Sequence, residues 1–112
     1  MPRRVRIVRL DNLQFHVAPM LYDQMEVYLK TINDLRANSP KPEDFAAITL
    51  DTVVEGLNAG GHKAEDGGEF TRAKLTAEVD SGSINELYDE ILRMSGIVTK
   101  TAGEAAATST SR

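Results

Sequence analysis

The chain has 112 residues, the size of one domain, which excludes an enzyme built around an interdomain cleft. It is 41% hydrophobic and 27% charged, the balance of a folded soluble domain rather than a disordered chain. With 5% aromatics and no Trp, its core must come from Leu, Ile, Val, Met and Ala. The absence of cysteine removes disulfides, thiolate metal sites and cysteine nucleophiles, and no apolar run is long enough to cross a membrane or serve as a secretion signal. The net charge of −4 hides an asymmetry. Arg3, Arg4, Arg6 and Arg9 fall within the first nine residues, which hold no acid, leaving nine bases against 17 acids elsewhere. That body is a poor surface for a phosphate backbone.

Val5 to Leu10 is nearly alternating and β-branched, Asp11-Asn12 is a two-residue turn signal, and Leu13, Phe15 and Val17 alternate with Gln14 and His16. The pattern predicts a β-hairpin with Leu13, Phe15 and Val17 on one face, Val5 and Ile7 covering the same face, and the arginines pointing outward. From Leu21, apolar residues at Met25, Tyr28, Leu29, Ile32 and Leu35 predict a helix that stops before Pro40 and Pro42. A second helix is expected from Pro42 or Glu43, with Phe45, Ile48, Val53, Val54 and Leu57 on its apolar side and Ala59-Gly60-Gly61 at its end. The stretch 58–69, with four glycines, reads as a mobile surface loop. Phe70, Leu75 and Val79 mark a short third helix beginning near Thr71. Ser83-Ile84-Asn85-Glu86 has the spacing of a capping box opening a fourth helix, which Gly96 would end. The fold class is therefore α+β: an N-terminal hairpin on a bundle of three to four helices, one domain over 1–98, and a polar, disordered tail over 99–112.

The residues offer little catalytic chemistry. His16 reads as an outward strand residue and His62 as part of a solvated charge cluster with Glu65 and Asp66. Gly60-Gly61-His62-Lys63 lacks the spacing of a phosphate loop, and the adjacent carboxylates Glu43-Asp44 and Asp89-Glu90 diverge around their helices. The expectation is a non-catalytic protein without metal or cofactor. Met20, Met25 and Met94 are adaptable apolar contacts for a partner or plain core, and Ile97-Val98 either folds back on the fourth helix or stays available. Arg3, Arg4, Arg6 and Arg9 would contact DNA if the first strand acted as in ribbon-helix-helix repressors, although Leu13 to Val17 fits the second strand of a hairpin better than the start of a helix. The same arginines also serve to keep a hairpin edge from aggregating.

Read in order, VRIVRLDNLQFHVAPM, LYDQMEVYLKTINDL, DFAAITLDTVVEGLN and SINELYDEILRMSGI resemble the small tail assembly chaperones of long-tailed bacteriophages and prophages. The likeness spans about residues 5–98 and rests on a hairpin closing in Val17-Ala18-Pro19 and a last helix closing in Ser95-Gly96-Ile97, while the glycine-rich stretch 58–70 departs from it. The resemblance implies a protein that binds and solubilises the long helical tape-measure protein, helps recruit tail-tube subunits, forms homo-oligomers, and works in the bacterial cytoplasm without entering the virion. A structural subunit of the particle is the further alternative.

Overall fold

The computed structural model describes residues 4–97; Arg3, Val98 and the tail expected over 99–112 lie outside the described residues. It is an α+β fold in which an antiparallel hairpin, β1 (Arg6–Leu10) and β2 (Leu13–Val17), precedes four helices. These are α1 (Tyr22–Ala37), α2 (Pro42–Ala59), α3 (Arg72–Glu78) and α4 (Ser81–Met94). α2 is the hub: it packs against α4, against β2 and against α3.

The hairpin register pairs Leu10 with Leu13, Val8 with Phe15 and Arg6 with Val17. Paired residues share a face, so Arg6, Val8 and Leu10 lie with buried Phe15 and Val17, whereas Ile7 lies opposite His16 on the other face. This corrects the expectation that Val5 and Ile7 cover the core: they are 51% and 50% exposed. The turn is the cause. Two residues, Asp11 and Asn12, separate the strands, and only Asp11 has a positive φ, at 55°. That closes the hairpin on the Leu10–Leu13 pair, and a period of two then carries every second residue of β1 inward.

Phe15 and Val17 of the hairpin, Val53 and Leu57 of α2, Leu75 of α3 and Ile84, Leu87 and Ile91 of α4 form one core with Phe70 and Val79. Leu57, Leu75 and Leu87 are fully enclosed, and each contributes on the order of 1.5–3 kcal/mol by leaving water. Two glycines let the layers close. Gly56 faces Ile91 across the α2–α4 contact, and its carbonyl accepts from the Ala18 N–H at 3.0 Å. At Gly60 an added Cβ would stand 2.6 Å from the His16 carbonyl oxygen and 2.9 Å from the Val17 Cα, so the end of α2 rests on the main chain of β2.

The helix ends follow from local chemistry. The N–H of Leu21 donates to the Gln24 side chain at 2.9 Å, and that of Lys41 to the Asp44 carboxylate at 3.0 Å, each satisfying a donor at a helix start. Thr71 accepts from the Lys74 N–H at α3. At α4 the expected capping box at Ser83 is replaced: Asp80 is the N-cap, accepting from both the N–H and the hydroxyl of Ser83, and the helix starts three residues earlier. A carboxylate N-cap also meets the helix dipole, which Ser83 would not. Both α2 and α4 end in Schellman motifs. His62 N–H donates to the Leu57 carbonyl and Gly61 N–H to that of Asn58, just as Ile97 donates to Leu92 and Gly96 to Arg93.

The stretch 58–69 is also corrected. Asn58 belongs to the last turn of α2, and its side chain clamps the main chain of Phe70, accepting from the N–H at 2.8 Å and donating to the carbonyl at 3.1 Å. Ala64 is buried, its N–H donates to the Gly68 carbonyl, Glu65 N–H donates to the Glu78 carboxylate, and Lys74 pairs with Asp66 at 2.7 Å. A glycine-rich composition permits the turns here, and these bonds tie the segment to Phe70 and α3.

Replacing Gly60 by Ala is expected to destabilise the protein by roughly 1–3 kcal/mol despite Ala's better helix propensity, because main-chain atoms of β2 cannot yield as a side chain would. Urea unfolding of the two proteins measures this directly.

Candidate protein-binding surfaces

The candidate contact residues divide between two places. Met20 and Met94 pack, half-buried, against the core cluster, and Ile97 is half-buried beside the end of α4, where its N–H completes the Schellman motif. These ends are tied together: the Met20 N–H donates to the Ser95 hydroxyl at 2.9 Å, and that hydroxyl donates to the Ile91 carbonyl at 2.7 Å. The main chain of Ile97 thus closes the end of α4, while Val98, the other half of the expected pair, lies outside the described residues. Met25 is half-buried on α1, outside that cluster.

The arginines are not an outward-facing row. Arg6 lies on the core face and donates to Glu90 at 2.9 Å, and Arg93 holds the other oxygen of the same carboxylate at 2.9 Å. The Glu90 side chain is only 11% exposed, so it needs those partners. Arg4 donates to the Met94 carbonyl at 3.1 Å, giving the C-terminal end of α4 the positive charge that its dipole favours. Arg9, opposite Gln14 on the outer face, makes no ion pair among the described residues.

Sequence reasoning did not locate the grooves. One, of about 280 Å³, lies where α2, the end of α3 and the start of α4 meet, with Ala46, Leu50, Val79 and Ile84 as its apolar lining and Thr76 and Asn85 among its polar groups. A second, of about 200 Å³, runs between α1 and α2, with Val27, Tyr28 and Ile48 among its lining residues. The first leaves one trace in the sequence, Ala46 and Thr49, small residues spaced three apart on α2. α1 is the least buried helix. Ile32 is its one buried residue, while Leu21, Tyr22, Val27 and Leu29 are exposed. It is held to α4 by a hydrogen bond between the hydroxyls of Tyr28 and Tyr88, and burial raises the pKa of both phenols, with each hydroxyl also acting on the other. Both therefore stay protonated at neutral pH.

Where polar groups do converge, they are structural. His62, expected in a solvated cluster, instead lies against the rings of Phe15 and Phe70, with centroids 5.4 and 5.9 Å away, and its Nδ1 accepts from the His16 N–H at 3.2 Å. As expected, His16 is exposed on its strand. Among the described residues, no group of three or more His, Asp or Glu side chains could hold a metal ion, and no helix is long and apolar enough to cross a membrane. No family model, curated protein or solved structure matches the chain.

Burial lowers the pKa of His62, the charge of nearby His16 lowers it further, and Glu78 opposes both. The folded value lies below the unfolded one of 6.5. The neutral ring's contribution is thus complete above about pH 6.5 and is lost as pH falls toward and through the folded value. Urea midpoints at pH 7.5 and 5.5 should fall on acidification, and fall less in His62→Gln, whose amide oxygen still accepts from His16. An identical fall in both proteins would assign the acid sensitivity elsewhere.

Proposed function

We propose that the protein is a non-catalytic binding factor for an apolar helical segment, of the tail assembly chaperone type, with the tape-measure protein as its client and tail-tube subunits recruited afterwards. The observation that carries this reading is the groove between α2, α3 and α4. Its floor of Leu50, Val79 and Ile84 is apolar, its rim is uncharged threonine, serine and asparagine, and small Ala46 keeps one wall low. An amphipathic helix docks in such a groove through side chains spaced three and four apart. The acidic body around it, bearing nine bases against 17 acids outside the arginine arm, would keep a complex with a poorly soluble client dispersed. Several copies along a long helical client would add avidity to weak single contacts. The order of hairpin and helices, and the sequence resemblance over residues 5–98, support the same choice. Work in the bacterial cytoplasm and absence from the finished particle belong to this proposal.

The repressor alternative has less behind it. A ribbon-helix-helix protein pairs one strand from each subunit and presents it to the major groove, whereas here β1 pairs with β2 of its own chain and Arg6 is bonded to Glu90. For a structural subunit of the particle, no observation favours that reading over a chaperone.

The test is co-expression with a tape-measure segment. The soluble fraction of the client should rise and the two should co-purify, and Ala46→Trp, which fills the groove from an exposed position, should weaken binding about tenfold, roughly 1.4 kcal/mol, without lowering the unfolding midpoint. An unchanged soluble fraction with no co-purification contradicts the proposal.

A further inference from the structure

The free edge of β1 is formed like a site for another strand. Because Leu10 and Leu13 close a two-residue hairpin, they exchange both main-chain hydrogen bonds, and the alternation gives Val8–Phe15 and Arg6–Val17 the same arrangement. The N–H and C=O groups of Ile7 and Arg9, and of Val5 just before the strand, are then directed away from β2. Among the described residues, no main-chain group bonds to that edge. Its side chains are half-exposed Val5 and Ile7 with exposed Arg9, and the inward charge between the two apolar residues, Arg6, is already paired with Glu90. Alongside the edge lies a cleft of about 250 Å³ lined by Val8 and Leu10 of β1 and by Glu86, Asp89, Glu90 and Arg93 of α4. Glu90 is neutralised by Arg6 and Arg93, but Glu86 and Asp89 have no ion-pair partner among the described residues. Asp89 is partly desolvated, which raises its pKa.

We infer that β1 pairs antiparallel with β1 of a second copy of this chain, making a four-stranded sheet about a two-fold axis at Ile7. The register follows from the side chains. With Ile7 opposite Ile7, Val5 of each copy lies opposite Arg9 of the other, and all three edge residues of each strand take part. A shift of one pair in one direction sets Arg6 against Arg6; in the other direction, one pair sets Val5 against the turn residue Asp11 and two pairs set Arg9 against Arg9. Like charges directly opposite one another destabilise a sheet. On the inner face the same register brings Arg6 of the second copy beside Val8, and its Arg4 beside Leu10. Those are the two β1 residues lining the acidic cleft. Each copy therefore brings Arg4 and Arg6, which keep their bonds to the Met94 carbonyl and to Glu90 of their own α4, toward a cleft of the other that holds Glu86 and Asp89, and symmetry makes the exchange reciprocal. The charge asymmetry of the sequence becomes self-complementarity. This inference stands apart from the proposed function, since it uses neither the groove nor α1.

The chain has no cysteine, so single replacements report the register cleanly. In a hydrogen-bonded antiparallel pair, facing Cα atoms are about 5.5 Å apart, within the disulfide range of about 4.4–6.8 Å. Ile7→Cys is expected to form a disulfide-linked dimer under mild oxidation. Val5→Cys, about 13 Å along the strand from its own copy, is expected to stay monomeric. In parallel, sedimentation velocity of the unaltered protein across a concentration series should show a species of twice the 12.3 kDa chain mass. Ile7→Lys should raise its dissociation constant at least about tenfold, with far-UV dichroism unchanged and the unfolding midpoint unchanged at dilutions where both proteins are monomeric. A monomer at every concentration, or equal cross-linking at positions 5 and 7, overturns the inference, whether the edge is then bare or covered by a different partner. A dimer that survives Ile7→Lys also overturns it.

Discussion

One carboxylate constrains how the hairpin can lie. Glu90 sits on α4 between Leu87 and Ile91, both fully enclosed, and its own side chain is almost withdrawn from water. A carboxylate in such a place must be paired and hydrogen-bonded or its burial is strongly unfavourable. Arg93 supplies one partner from the same helix, and Arg6 supplies the other from β1. A one-residue slip of β1 would turn Arg6 to solvent and bring Ile7 over the carboxylate. Polar satisfaction at Glu90 and burial of Phe15 and Val17 therefore select the same register, and that agreement makes a two-stranded sheet, marginal by itself, a defined part of the fold.

From that register follows the division of the molecule into a fixed part and an accessible one. The hairpin's inner face joins α2 and α4, with Gly56 and Gly60 allowing main chain to approach main chain. The Asn58 clamp on Phe70 and the His62 ring stack draw the connection to α3 into the same body. α1 lies outside it, buried at Ile32 and attached by the Tyr28–Tyr88 hydroxyls. What is left accessible is the outer side of α1, an apolar groove and an open strand edge.

Much of this was legible in the residues. Helical spacing placed all four helices, and Gly61 and Gly96 marked the two Schellman ends because only glycine takes a positive φ there without strain. The hairpin existed where alternation put it, but its facing did not follow, because Val5-Arg6-Ile7-Val8-Arg9-Leu10 has apolar residues in both phases. Only the turn length and the distant Glu90 choose between them, and Glu90 lies 84 residues from Arg6. The segment 58–69 misled for a related reason: glycine content reports what a backbone can do, whereas the clamp depends on one Asn side chain meeting main chain 12 residues on. The cap of α4 was misplaced because Asp80 and Ser83 both have cap chemistry, and the two bond to each other. The grooves were not legible because each is made by residues of separate helices that meet only after folding.

The central claim is that the Arg6–Glu90 pair and the hairpin register are one constraint. A double-mutant cycle of Arg6→Met and Glu90→Gln, read by urea unfolding, tests it most directly. The account predicts that either change alone destabilises, with a coupling energy of about 0.5–3 kcal/mol, as for groups sharing one buried network. Strict additivity would mean that Glu90 is satisfied without β1, and the ion pair would then have no part in orienting the hairpin.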